Sequence, residues 1–204
     1  MKNSVDYTLY LVTDRGLLQG RSLEKAVEEA ILGGVTLVQL REKDIDTRDF
    51  YNIALKIKAI TSKYNVPLII NDRVDIALAV DADGVHIGQS DMEAKIVRKL
   101  IGEEKIIGVS ARNLDEAMEA EKQGADYLGV GAVFGTTTKN VSIEELKRIK
   151  STVSIPVVAI GGISKENVSL LKDTGIEGIS VISAILAEEN IKEASKNLKH
   201  LFLK

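Results

Sequence analysis

TLYLVTDRGLLQGRSLEKAVEEAILGGVTLVQLR, residues 8–41, is one strand–helix–strand unit, and the architecture is built out from it. Thr8 to Val12 is too short for a helix, mixes β-branched and aromatic residues with leucine, and runs into the turn signal Thr13-Asp14. Ser22 then stands as an N-cap before Leu23, Ala26, Val27, Ala30 and Ile31, an i, i+3, i+4 apolar stripe stopped by Gly33-Gly34. A second short apolar strand follows. The same alternation recurs with strands expected near residues 36–41, 67–71, 84–87, 106–109, 126–131, 156–160 and 177–182, each trailed by a helical pattern.

Short strands without polar alternation are those of a parallel sheet covered on both faces, and eight right-handed strand–helix crossovers can close on themselves. A doubly wound open sheet is the rival. The units are short and regular, and no Gly-x-Gly-x-x-Gly turn follows the first strand, so the expected fold is α/β, a single (β/α)8 TIM barrel over residues 1–204. Helix ends such as Gly124-Ala125-Asp126 read as C-cap turns feeding the next strand, an architectural feature.

Composition narrows the chemistry. Lys and Arg number 27 against 30 Asp and Glu, a net charge of -3, which gives no electrostatic footprint for nucleic acid. With no cysteine there is no disulfide framework, thiolate nucleophile or Cys-ligated metal, so any ion is held by oxygen or by the two histidines, and Mg2+ is the natural candidate. No leader pattern opens the sequence and no apolar run reaches membrane-spanning length, from which we expect a cytoplasmic protein without a membrane partner.

In such a barrel the active site lies at the C-terminal ends of the strands. On strand two, period-two alternation puts Gln39, Arg41 and Lys43 on one face and Val38 and Leu40 on the other. If the apolar face meets the helices, the cations point into the barrel mouth, where an oxygen-rich anion such as pyrophosphate would offset the cost of burying them. An internal ion pair with Asp72 or Glu42 is the alternative. Asp72 and Asp91 end strands three and four and could share one Mg2+; each could equally be an N-cap for the helix that follows. His86, alone in an apolar strand, reads as a satisfied core residue, and Ser110 either bonds a rim ligand or caps a turn. Thr136, Thr137, Thr138 and Lys139 look like an oxyanion cradle or an inert polar loop. Gly161-Gly162 and the start of the last helix are placed to hold a phosphate.

Taken in order, Leu9 to Asp14, Val38 to Lys43, Asn71-Asp72-Arg73, His86 to Asp91, Thr136 to Lys139 and Ile160 to Ile163 resemble the thiamine-phosphate synthase family over nearly the whole chain. The resemblance implies a transferase that joins hydroxymethylpyrimidine pyrophosphate to thiazole phosphate and releases pyrophosphate. It implies that the pyrimidine substrate is held by Gln39, Leu40, Arg41, Glu42, Lys43, Asn71, Ser110 and Lys139, with Mg2+ on Asp72 and Asp91. It further implies that thiazole phosphate lies across Thr136, Thr137, Thr138, Gly162, Ile182 and Ser183, and that Arg41, Lys43, Lys139 and Ser110 serve the chemistry. Gly135 stands where the family often has proline. Members of the family are often dimers, so a homodimer through the outer helices is the assembly the resemblance allows. Two other functions remain to be separated: a related thiazole tautomerase, whose catalytic histidine would fall at Ala132, and a non-catalytic barrel that binds phosphate ligands.

Overall fold

The computed structural model describes residues 5–135 and 140–204. Eight strands close into one parallel barrel in sequence order, as the repeated unit predicts. They are β1 (Leu9–Val12), β2 (Leu37–Leu40), β3 (Leu68–Asn71), β4 (Gly84–Ile87), β5 (Ile106–Ala111), β6 (Tyr127–Gly131), β7 (Val157–Ile160) and β8 (Gly178–Val181). β1 pairs with both β2 and β8, which removes every sheet edge.

Helix α1 (Leu23–Leu32) has the predicted N-cap, with the Ser22 side chain accepting from the Lys25 amide, and it buries the predicted stripe. α2 (Thr47–Lys63), α3 (Val74–Ala79), α4 (Ala94–Ile101), α5 (Leu114–Lys122) and α6 (Ile143–Thr152) complete the outer ring on that side. The repeat then loosens. A 3-10 segment, Val168–Thr174, covers β7 in place of an α-helix, and β8 is followed by the single turn α7 (Ser183–Leu186) before the last helix, α8 (Ile191–Leu203).

The alternation of the strands divides the core into two layers. Val38, Leu40, Ile70, Val85 and Leu128 belong to the large cluster between strands and helices, whereas Tyr10, Leu37, Ile69, Tyr127 and Val158 fill the barrel interior. The interior is a packed core, not a channel.

The N-terminal face of the barrel repeats one device four times. A polar side chain just before every second strand accepts a backbone N–H from the start of the preceding strand: Thr36 from Leu9, Asp83 from Leu68, Asp126 from Ile107, the second residue of β5, and Glu177 from Val157. The three acids are each met by a cation from the ring of helices, Lys58, Arg98 and Lys150. A strand end that would otherwise be unsatisfied is thereby closed inside the fold. Asp126, which from sequence is only the end of a C-cap turn, is therefore a structural carboxylate.

Candidate active site

At the opposite, C-terminal face, alternate residues of the strands converge on a cavity of about 170 Å³. β2 and the residue after it contribute Gln39 and Arg41, β3 contributes Asn71, β4 His86, β5 Ser110, and β8 with its extension Ser180 and Ile182. The face assignment made for strand two holds for four of its residues, with Val38 and Leu40 in the helix-facing layer and Gln39 and Arg41 lining the cavity, whereas Lys43 lies past the end of β2, outside the cavity lining. Larger clefts exist elsewhere, one at the N-terminal face beside Thr36, Lys58 and Asp83, and one between the β7 loop and α8. Neither lies inside the ring of strand C-termini, where the chemistry of this fold is performed.

The cations of the rim differ in their company. Arg15 makes a forked contact with Glu42, Nε to both carboxylate oxygens at 2.9 Å, and Arg73 pairs with Asp75 at 2.6 Å. Lys43 is paired with Asp72, the internal ion pair that the sequence left open. Arg41 meets no carboxylate among the described residues; its backbone N–H is held by Thr13 Oγ1 at 3.0 Å. A guanidinium left without a counter-charge in a pocket wall is matched to an oxyanion from solution.

Two expected substrate contacts are corrected by these positions. The Leu40 side chain is fully buried against the helices and points away from the cavity. Glu42, whose side chain is 6% exposed, is committed to Arg15 and fastens the β1 and β2 loops together. Either residue can reach a ligand only through its backbone.

Neither aspartate is a helix cap. α3 begins at Val74 behind Arg73, and α4 at Ala94 behind Glu93. Asp72 instead sits at φ +60°, a left-handed conformation that aspartate tolerates, fixed by its amide bond to the His86 carbonyl at 2.9 Å. Its oxygens meet Lys43 and the Asn71 amide. Asp91 uses one oxygen on the Gly88 N–H at 2.7 Å. Among the described residues no group of three or more His, Asp and Glu could hold an ion. The donors present fit a hard cation that needs only one or two protein carboxylates and completes its shell with phosphate oxygens and water.

His86 is the satisfied core residue expected of it. Its ring lies 2.9 Å from Tyr127 Oη through Nδ1 and 2.9 Å from Ser110 Oγ through Nε2, and burial pushes the imidazole down to about 4. Sequence reasoning missed Tyr10, Tyr127 and Ser180, which form the floor beneath it; their signal was the inward parity of strands buried on both faces, where side-chain polarity marks no side.

On the β6–β8 side the wall is backbone. Val133 and Phe134 N–H groups bond to the Ile160 and Gly161 carbonyls at 2.9 and 2.8 Å. Gly162 has φ +68°, and a Cβ there would stand 2.0 Å from the Phe134 carbonyl oxygen, so the glycine is required by the neighbouring loop as well as permitting a ligand's approach. Ser183 opens the one-turn helix α7, too short to supply the dipole expected of the last helix. Thr136, Thr137, Thr138 and Lys139 lie outside the described residues.

Known proteins agree with this geometry. The family described as "Thiamine monophosphate synthase" matches residues 9–185. "Thiamine-phosphate synthase" of Clostridium tetani is 61% identical over 203 residues, 98% of this chain and 97% of that protein. "Thiamine-phosphate synthase" of Clostridium botulinum is 59% identical over 206 residues, covering 99% and 97%. The solved structure of thiamine phosphate pyrophosphorylase from Pyrococcus furiosus superposes with a TM-score of 0.91 at 43% identity, covering 98% of this chain and 96% of that one. The chain belongs to the thiamine monophosphate synthase family, and with it to the transferases of thiamine biosynthesis.

Proposed function

We propose that the chain joins hydroxymethylpyrimidine pyrophosphate to thiazole phosphate, with the pyrimidine diphosphate lodged on the β2–β5 side of the mouth. The observation that carries this placement is Arg41, a guanidinium in the cavity wall with no carboxylate partner among the described residues, beside Asn71 and Ser110. A diphosphate supplies the counter-charge that the protein withholds.

In the reaction the bond between the pyrimidine methylene carbon and the pyrophosphate oxygen breaks, the electron pair leaving with pyrophosphate. The thiazole nitrogen donates its lone pair to that carbon and becomes cationic. Charge therefore builds on the leaving oxygens and on the pyrimidine ring, and no protein nucleophile is needed. Arg41 stabilises the departing anion, Lys43 is drawn from Asp72 toward it, and Lys139 adds a further charge. Asn71 and Ser110 orient the substrate so that the nitrogen meets the carbon in line. Asp72 and Asp91 would hold Mg2+, which when bound supplies Lewis-acid neutralisation of the diphosphate oxygens. Thiazole phosphate lies toward Gly162, Ile182 and Ser183, with Thr136 to Thr138. Ala132, where the tautomerase would need its histidine, carries no acid–base group.

Incubation of the purified chain with both substrates and Mg2+ should release pyrophosphate, and omission of either substrate or of the metal should abolish the release. Ligand binding without release would leave a phosphate-binding barrel in its place. Among the described residues no helix is long and apolar enough to cross a membrane. The charge on the substrates bars them from free passage across lipid, which supports a cytoplasmic location. Exposed Tyr51 and Leu55 on α2 and Ile96 and Leu100 on α4 support a homodimer through the outer helices, which sedimentation would detect.

A further inference from the structure

Five side chains from five strands form one unbroken hydrogen-bonded chain across the barrel beneath the cavity. Gln39 Nε2 donates to Tyr10 Oη at 2.7 Å, Tyr10 Oη lies 2.7 Å from Tyr127 Oη, Tyr127 Oη lies 2.9 Å from His86 Nδ1, and His86 Nε2 lies 2.9 Å from Ser110 Oγ. Tyr10 and Tyr127 are fully buried, and every member of the chain except Tyr127 borders the cavity.

Each phenol has one proton and two lone pairs, and a buried phenol proton needs an acceptor, so once Gln39 donates to Tyr10 the arrangement that leaves no phenol proton unpaired runs one way along the line. Tyr10 accepts from Gln39 and spends its proton on Tyr127. Tyr127 then has its own proton free for His86 Nδ1. A neutral imidazole that accepts at Nδ1 carries its hydrogen on Nε2 and gives it to Ser110 Oγ. The Ser110 hydroxyl has no further hydrogen-bond partner among the described residues, and its hydrogen is left for the cavity that it lines. Burial raises both phenols, which therefore stay protonated. The backbone is cut to admit the chain: a Cβ at Gly108 would stand 2.1 Å from the Tyr127 ring, so β5 must have glycine where the phenol passes.

We propose that Gln39, Tyr10, Tyr127 and His86 are positioning residues that fix the Ser110 hydroxyl as a hydrogen-bond donor toward an acceptor atom of the bound pyrimidine diphosphate. This rests on the placement of that substrate given above. The satisfied core histidine thereby gains a second role, because it holds one tautomer, occupies one lone pair of the serine oxygen and leaves the serine proton for the cavity. A polar chain in which every member is satisfied makes that orientation rigid before substrate arrives.

The chain has two histidines, and exposed His200 can be removed, so in 15N-histidine-labelled His200→Gln protein the remaining imidazole is His86. Nitrogen–proton correlation spectra at neutral pH should show a neutral ring with its hydrogen on Nε2. Hydrogen on Nδ1 would mean the line runs the other way and would overturn the proposal, as would an imidazolium. In steady-state kinetics, Ser110→Ala should lower kcat/KM by about 10-fold or more, the scale of one hydrogen bond to a charged group. Tyr127→Phe should cost a comparable factor in the wild type but less than about 2-fold in the Ser110→Ala background, because the two act through one proton. An equal loss in both backgrounds would reduce Tyr127 to a packing role and refute the idea. An Nε2–H ring together with a fully active Ser110→Ala variant would refute it differently, through the placement of the substrate and not through the network.

Discussion

The two faces of the barrel solve different problems with the same residue types. At the N-terminal face one arrangement is used four times: Thr36, Asp83, Asp126 and Glu177 each take an N–H from the first two residues of the neighbouring strand. At the C-terminal face no such arrangement repeats among the described residues. Gln39, Asn71, His86, Ser110 and Ser180 line the mouth from five of the eight strands, yet each has different partners or, for the Ser180 hydroxyl, none among the described residues. Repetition marks groups that serve closure of the barrel, and singularity marks groups that serve a ligand. A carboxylate of the repeated set at the bottom should thus matter to stability alone, and Asp72 and Asp91 at the top to activity, whereas Glu42, spent on Arg15, belongs with the structural group.

The largest test of that division is Asp126→Ala. The Arg98–Asp126 pair is only 12% and 13% exposed, and removing the carboxylate leaves a largely buried guanidinium on the Gly102, Lys105 and Gly124 carbonyls without its counter-charge and takes an acceptor from the Ile107 N–H. We expect a loss of about 3–5 kcal/mol in chemical denaturation, with the activity of the folded fraction unchanged. Its mirror at the top is Asp72→Ala or Asp91→Ala, for which pyrophosphate release should fall about 100-fold or more while the melting temperature moves by only a few degrees. Activity that is retained in those variants, or is indifferent to Mg2+ in the wild type, would break the contrast.

His86 joins the two sides, since it belongs to the top by position and to the core by burial. Its folded pKa is depressed to about 4 from 6.5, so below pH 6.5 the unfolded chain takes up a proton that the folded chain refuses. The stability it confers is fully present above pH 6.5 and falls away between pH 6.5 and pH 4, by on the order of 3 kcal/mol. Urea denaturation across that window should show the slope, and His86→Asn should flatten it. The smallest effect is expected at Ser180, whose Oγ is buried without a partner. Ser180→Ala should change stability by less than about 0.5 kcal/mol or raise it slightly, because no bond is lost.

The same division governs how far the sequence could be read. The barrel was legible because each unit announces itself locally: a short apolar strand, an N-cap such as Ser22, a stripe, a glycine stop. The departures, a 3-10 segment over β7 and the single-turn α7, fall where that local signal thins. Arg41 and Gln39 were legible because alternation within one strand fixes their face. What local pattern cannot carry is a choice between partners distant in sequence. Lys43 could meet Asp72 or Glu42, and only the closed barrel shows that Arg15 takes Glu42 while Lys43 takes Asp72. The Tyr10–Tyr127 contact spans 117 positions and joins strands on different sides of the interior, so no spacing rule reveals it. Leu40 and Glu42 entered the site only through the family resemblance of the Gln39 to Lys43 segment, and the side chain of one faces the helices and that of the other an arginine.

The central claim is that the β2–β5 side of the mouth is a diphosphate site whose charge is supplied by Arg41. Titration calorimetry of inorganic pyrophosphate with Mg2+ into the wild type and into Arg41→Ala tests it most directly, with thermal melting run beside it. Binding weakened by about 10-fold or more at an unchanged melting temperature is the predicted result. Equal affinity in the two proteins would contradict it.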